Sequence, residues 1–132
     1  MVIVLFLLST SCRLDVVEPE EFSSEINQPI QESRLNYLSY EINAEDYSGN
    51  SVIVLNFDVN KSTLFMTLLD HNNGSVKLEI KNSYEDIVFR TELIDDLPTY
   101  TRSFSVSNFS RLYISINNFS GKFKISISAQ IG

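Results

Sequence analysis

The 132-residue sequence contains no tryptophan, one cysteine and one histidine. A single cysteine excludes an internal disulfide framework and a cysteine-rich zinc site, and a single histidine excludes a site of clustered histidines. Only ten Lys and Arg stand against 17 Asp and Glu, which gives a net charge of -7. The chain therefore lacks the basic stripe that nucleic-acid binding needs, and no nucleic-acid partner is expected.

Long hydrophobic runs are also absent, because no stretch approaches the ~20 apolar residues that cross a bilayer as a helix. Four glycines form no glycine-rich phosphate loop. Hydrophobic residues still make up 43% of the chain and aromatic residues 11%, which is sufficient for the packed core of one domain.

The N-terminus has the pattern of an export signal. Residues 2–8 read VIVLFLL, three small residues follow, and Cys12 is the only cysteine in the chain. The stretch LLSTSC resembles the lipobox of bacterial lipoproteins. This resemblance implies that residues 1–11 are a signal peptide and that Cys12 is lipidated. It also implies a protein held in the cell envelope by its acyl chains, facing the periplasm or the exterior. The alternatives are an ordinary secretory signal, an uncleaved anchor or a buried N-terminal strand.

The charge is confined to one part of the chain. All seven units of net negative charge lie between Arg13 and Asp46, whereas the acids and bases from Tyr47 onward balance. Residues 12–34 also contain two prolines and several serines. We expect this segment to be a flexible acidic tether that carries the lipidated cysteine. The alternative is an acidic docking or export segment.

From residue 35 onward, alternation of apolar and polar residues predicts strands. In residues 111–117, for example, Leu112, Ile114 and Ile116 are expected inward and Arg111, Tyr113 and Ser115 outward. Residues 35–132 are therefore predicted to be all-β, forming a single small antiparallel β-sandwich of jelly-roll or Ig-like type. Its expected strands number about eight: 36–45, 51–59, 62–70, 75–82, 86–93, 100–107, 111–117 and 121–131.

Three polar turns are expected to close hairpins between these strands. Asn73-Gly74 is the strongest signal, because both residue types tolerate a positive φ. Residues 117–121 and 82–86 are the other two. The order of a KLEI strand, a polar turn, an IVF strand and a final GKFKISI strand resembles small secreted β-sandwich modules of the pre-peptidase C-terminal type. No function follows from that order alone.

Candidate catalytic and metal-binding residues are few, and no catalytic residue, metal site or cofactor is expected. His71 lies in DHNNG and is interpreted as a solvent-facing turn residue, with no GxSxG nucleophile in the chain. The paired acids at 45–46, 85–86 and 95–96 lie in expected turns, where acids are common. Residues 58–69 open like a calcium loop but lack its glycine and its final acid. A weaker cation site would use Glu45, Asp46, Ser48 and Asn50.

Exposed aromatic residues would mark a binding face. Tyr113 shares its predicted outward face with Arg111, and Tyr47 and Tyr84 lie near turns. We expect a binding or adhesion module with an unknown protein or glycan partner. A structural subunit of an envelope complex, which would show an exposed apolar patch, is the alternative, and a hydrolase is a distant third.

Overall fold

A computed structural model of the protein describes residues 22–105 and 108–130. Within these ranges the chain is all-β, and no helix is long and apolar enough to cross a membrane. The all-β prediction is therefore confirmed. The strands are β1 Ile30–Arg34, β2 Tyr37–Val54, β3 Ser62–Asn82, β4 Ile87–Leu93, β5 Leu97–Phe104 and β6 Phe109–Ala129.

The six strands of the described residues form one antiparallel sheet in the order β1-β2-β6-β3-β4, with β5 also paired to β3. The sheet is built on three long strands. β6 lies between β2 and β3 and pairs with both along most of its length. β5 pairs with the first half of β3, from Ser62 to Leu68, and β4 pairs with its second half, from Val76 to Lys81.

The three long strands are irregular along one line, which we call the crease: residues 45–48 of β2, 70–74 of β3 and 118–120 of β6. The strand registers shift there. Asp46, Asp70 and Asn118 have φ values of 50°, 55° and 46°, which Asp and Asn tolerate better than other side chains. Bulges of this kind bend a strand and increase its twist.

Side chains replace ladder hydrogen bonds at the crease. The Asn73 side-chain amide donates to the Asn118 carbonyl oxygen at 2.6 Å, and the Asn118 backbone N–H donates to Ser48 Oγ at 2.9 Å. The Asp46 backbone N–H donates to Ser120 Oγ, also at 2.9 Å. These bonds satisfy backbone groups that the register shifts leave without strand partners.

The crease folds the sheet back on itself. Tyr40 and Ser51 lie on the same strand, eleven residues apart, and would be about 36 Å apart if that strand were straight. The Ser51 side chain nevertheless lies close enough to the Tyr40 hydroxyl to lower the pKa of that hydroxyl. Likewise, the Phe89 ring on β4 and the Phe104 ring on β5 are 5.8 Å apart, although their partners on β3 are eighteen residues apart. Two layers therefore face each other.

We call one half of the folded sheet the first layer. It contains the parts of β2 and β3 that precede the crease (residues 37–44 and 62–69), the part of β6 that follows it (residues 121–129), and also β1 and β5. The second layer contains β4 and residues 49–54, 75–82 and 109–117. The apolar residues of both layers form a single buried core. Its largest fully buried side chains are Tyr40, Phe119, Phe123, Leu38, Ile42, Leu64, Met66, Leu68, Leu78, Ile80, Leu112 and Ile114.

The predicted strand count and two of the predicted hairpins are wrong. Asn73-Gly74 and residues 117–121 do not reverse the chain; they lie within β3 and β6, at the crease. The two halves of β3 pair with β6 rather than with each other. Six of the eight expected segments therefore merge into three long strands. The turn at residues 82–86 does join two adjacent strands, β3 and β4.

The expected tether ends earlier than the sequence suggests. Residues 30–34 form β1 and pair with β2, and residues 22–29 lie on the outer side of the first layer. Glu41 holds this segment: its buried carboxylate accepts the backbone N–H groups of Ser23 and Ser24 at 2.7 and 2.9 Å. Lys124 lies 3.6 Å from the same carboxylate. Cys12 and the residues from 13 to 21 lie outside the described residues.

Candidate functional site

The outer face of the second layer carries a polar trough. Its centre is one row of side chains on four adjacent strands: Asn50 on β2, Ser115 on β6, Lys77 on β3 and Glu92 on β4. Two neighbouring cavities of about 460 and 440 Å³ share Lys77 and Glu92 in their linings. Together they run across the strands from the β2 edge to the β4 edge, about 14 Å at ordinary strand spacing.

The alternation of the strands produces this trough. The odd-numbered residues of β6 around Ser115 face outward, while Leu112, Ile114 and Ile116 are buried, as predicted. Ser48 of the crease and Asn117, which directly precedes the crease in β6, line one side of the row. Half of the twelve lining residues carry hydroxyl or amide side chains, which both donate and accept hydrogen bonds.

The charges in the trough balance. Lys77 lies opposite Glu92 in the strand register. In the next row, Arg90 Nε and Nη2 both lie 2.9 Å from Glu79 Oε2. Two cations and two anions leave the lining neutral overall, so it has no net electrostatic preference for an acidic or a basic partner.

Tyr113 lies in the same row as Glu79 and Arg90, between Val52 on β2 and Glu79 on β3, but lines neither cavity. Its ring is half-buried, and Lys81 Nζ lies 5.0 Å from the ring centroid. Arg111 shares the outward face, as expected, and forms an ion pair with Glu85 at 3.5 Å. The structure thus places the predicted outward tyrosine next to a concave polar surface, which the sequence did not reveal.

The other two tyrosines singled out in the sequence lie elsewhere. Tyr47 is half-buried, packed against the core at the crease. Tyr84 is 73% exposed in the turn after β3. Neither lines the trough.

His71 is part of the crease and not the solvent-facing turn residue that was expected. It is half-buried, and its Nε2–H donates to the Gly74 carbonyl oxygen at 2.8 Å. Asp96 Oδ1 accepts a hydrogen bond from the His71 backbone N–H at 2.8 Å, and not from the His71 ring. These contacts stabilise the bend in β3.

The residues of the weaker cation site are divided between two places. Ser48 and Asn50 line the trough, whereas Glu45 and Asp46 line a separate cavity of about 400 Å³ at the crease. In the residues that the structure describes, no group of three or more His, Cys, Asp or Glu side chains could hold a metal ion. In the region of the incomplete calcium loop, Asp58 Oδ1 accepts a hydrogen bond from the Asn36 side chain at 2.8 Å.

Comparisons with known proteins give likenesses in structure only. No protein-family model matches the sequence, and no curated protein matches it. The chain is similar to one in the solved structure described as "Bacillus endospore appendages form a novel family of disulfide-linked pili", with a TM-score of 0.44 and 12% identity over 85% of this chain and 99% of that one. The chain is also similar to one in the solved structure described as "CBM4 structure and function", with a TM-score of 0.35 and 11% identity over 70% of this chain and 79% of that one. Likenesses this distant assign no function.

Proposed function

We propose that the protein is a binding module of the cell envelope, and that its trough takes a neutral, hydroxyl-rich polymer, a glycan chain. In this proposal the two layers act as a small rigid β-sandwich, and the outer face of the second layer is the binding surface. The single observation that carries the proposal is the row of Asn50, Ser115, Lys77 and Glu92 across four strands.

The chemistry of this row suits a glycan better than a charged or an apolar ligand. Sugar hydroxyls donate and accept hydrogen bonds, and so do the serine and asparagine side chains of the lining. The lining carries no net charge, so it would not discriminate against a neutral polymer. Tyr113 offers part of an aromatic face one row away, where the apolar C–H side of a sugar ring can pack.

The shape of the trough favours a chain over a small molecule. Its two ends lie at β2 and β4, which border the second layer, so a polymer can enter and leave at both sides. Small-molecule sites are usually deeper and more apolar than this surface.

We further propose that the module is anchored through lipid on Cys12 and that residues 13–21 tether it to the membrane. Several acyl chains would hold the domain stably. Metabolic labelling with a palmitate analogue tests this part separately: label on the natural chain and none on Cys12→Ala supports the anchor, and an unlabelled natural chain refutes it.

Binding to a glycan array tests the ligand class, with Ser115→Arg as the diagnostic variant. Arginine at position 115 fills the centre of the row, so we expect at least a tenfold loss of affinity for any glycan that binds, a change of about 1.4 kcal/mol. The control is Thr101→Arg, which introduces the same residue at an exposed site on β5 of the first layer and should bind as the natural chain does. Circular dichroism confirms that both variants fold.

Two results would contradict the proposal. One is an array on which the natural chain binds no glycan. The other is equal loss, or no loss, in Ser115→Arg and Thr101→Arg, which would place binding away from the trough.

A further inference from the structure

The second layer ends at a sheet edge with unpaired backbone groups. Leu55 N–H donates to the Ser110 carbonyl oxygen, so the backbone of residue 55 faces β6. Backbone groups alternate in direction along an antiparallel strand, and those of Asn50, Val52 and Val54 therefore face away from β6. The Val54 carbonyl oxygen accepts a hydrogen bond from Ser33 Oγ at 2.9 Å, which agrees with a Val54 backbone that faces away from β6. Among the described residues, the groups of Asn50 and Val52 have no backbone partner.

This edge lacks the features that usually prevent strands from pairing between molecules. Residues 47–57 contain no charged side chain and no proline. By comparison, β1 carries Glu32 and Arg34, β4 carries Arg90 and Glu92, and β5 carries Pro98 and Arg102. Charges and prolines on edge strands oppose association with other strands. Among the described edge segments, the β2 edge of the second layer is thus the one that carries neither a charged side chain nor a proline.

Two apolar side chains stand on the same edge. Val52 and Val54 are 55% and 63% exposed, and Val52 lies beside Tyr113 on the outer face. β-branched residues pack well across paired strands. An added strand would therefore cover apolar surface as well as satisfy backbone groups.

We infer that this edge pairs with the same edge of a second copy of the chain, antiparallel and centred on Val52. The segment is complementary to itself: a two-fold axis at Val52 sets Val52 opposite its counterpart and Asn50 opposite Val54. Val52 then exchanges two N–H···O=C bonds with its counterpart, and the Val54 N–H donates to the Asn50 carbonyl oxygen of the partner copy. The Val54 carbonyl oxygen already accepts Ser33 Oγ and would take the Asn50 N–H of the partner copy on its second lone pair. The absence of charged side chains from residues 47–57 favours a second copy as the partner, because two identical uncharged segments do not repel each other.

The pairing would also lengthen the proposed binding surface. Ser48 and Asn50 line the trough at this edge, so the troughs of two copies would meet there. The inference does not depend on the ligand of the trough, and its test uses no ligand.

One strand pair buries less than about 1,000 Å² in total, the range of weak and transient contacts. Covalent trapping is therefore the suitable measurement. Opposed Cα atoms in a hydrogen-bonded antiparallel pair are about 5.5 Å apart, within the range that a disulfide bridges. We expect Val52→Cys, in the full-length chain with Cys12→Ser, to form a disulfide dimer on oxidation with copper phenanthroline at least ten times faster than Thr101→Cys in the same background.

A second pair of variants tests the register. Asn50→Cys mixed with Val54→Cys should give the crosslinked heterodimer, and each alone should crosslink at least ten times more slowly. Adding Val52→Lys to both chains should reduce the heterodimer at least tenfold, because two lysines would then oppose each other. The inference is overturned if Val52→Cys dimerises no faster than Thr101→Cys, or if the single variants crosslink as fast as the mixture.

Discussion

Replacing Gly74 with alanine is expected to lower the free energy of unfolding by about 3 kcal/mol. Gly74 has a φ of 80° at the crease, a conformation that costs energy for residues with a Cβ atom. An added Cβ would also collide with the Asn118 carbonyl oxygen of the neighbouring strand. Backbone atoms would have to move, and the pairing of β3 with β6 would open. Chemical denaturation measures the change.

Gly49→Ala is the matched control for this effect. Gly49 is also in a strand beside the crease, but the three atoms nearest to its added Cβ all belong to the Tyr47 side chain, the closest being Oη at 2.8 Å. We expect a loss of less than about 1.5 kcal/mol, because a side chain can rotate away. Equal losses in the two variants would mean that β3 does not bend at Gly74 as described.

Alkaline pH is expected to destabilise the protein through Tyr40. This side chain is 1% exposed, and burial raises its pKa from 10.0 to about 12, against the opposing effect of the nearby Ser51 side chain. A raised pKa in the folded state means that the unfolded state loses its proton first. The stability due to the neutral hydroxyl is complete below pH 10 and is lost as the pH rises toward 12. The loss is roughly 2–3 kcal/mol across this range.

Tyr40→Phe isolates this contribution. The variant keeps the ring in the core and has no hydroxyl to ionise, so its unfolding free energy should fall less than that of the natural chain between pH 10 and 12. Tyr84→Phe removes an exposed hydroxyl and should retain the alkaline loss. If the Tyr40→Phe and natural curves run parallel, the hydroxyl is not buried between the layers.

Local alternation predicted most strand positions correctly, but it did not predict how the strands connect. The patterns at residues 75–82 and 111–117 match the buried and exposed faces of β3 and β6. Asn73-Gly74 was interpreted as a hairpin because a positive φ at that position suits a two-residue turn. The same conformation suits a bulge within a continuous strand. The deciding factor is the long-range pairing of β3 with β6, which the local sequence does not encode.

The N-terminal boundary was misplaced for a similar reason. Residues 22–34 are mostly polar, a composition typical of a solvated tether. They are nevertheless held against the first layer by Glu41, a residue whose partners cannot be identified from its place in the sequence. Ser23 and Ser24 contribute backbone N–H groups to this contact, so their side chains give no signal of it.

The candidate site was only partly predictable. Outward-facing Tyr113 and Arg111 follow from alternation, and so does the polar face of Lys77. The trough itself depends on which strands are neighbours, because Asn50, Ser115 and Glu92 are far apart in the sequence and meet only through the registers of β2, β6, β3 and β4. The Ser115 hydroxyl can be assigned to this row only when the strands on either side of β6 are known.

The exposed face proposed for binding and the edge proposed for pairing both require that the sheet fold back at the crease. Spin labels at Ser103→Cys on β5 and Arg90→Cys on β4, in the Cys12→Ser chain, measure this directly by pulsed electron paramagnetic resonance. Their partners on β3, Thr63 and Glu79, are sixteen residues apart, about 53 Å along a straight strand. Two facing layers about 10 Å apart predict a distance between the labels below about 30 Å. A distance near 50 Å would contradict the folded sheet.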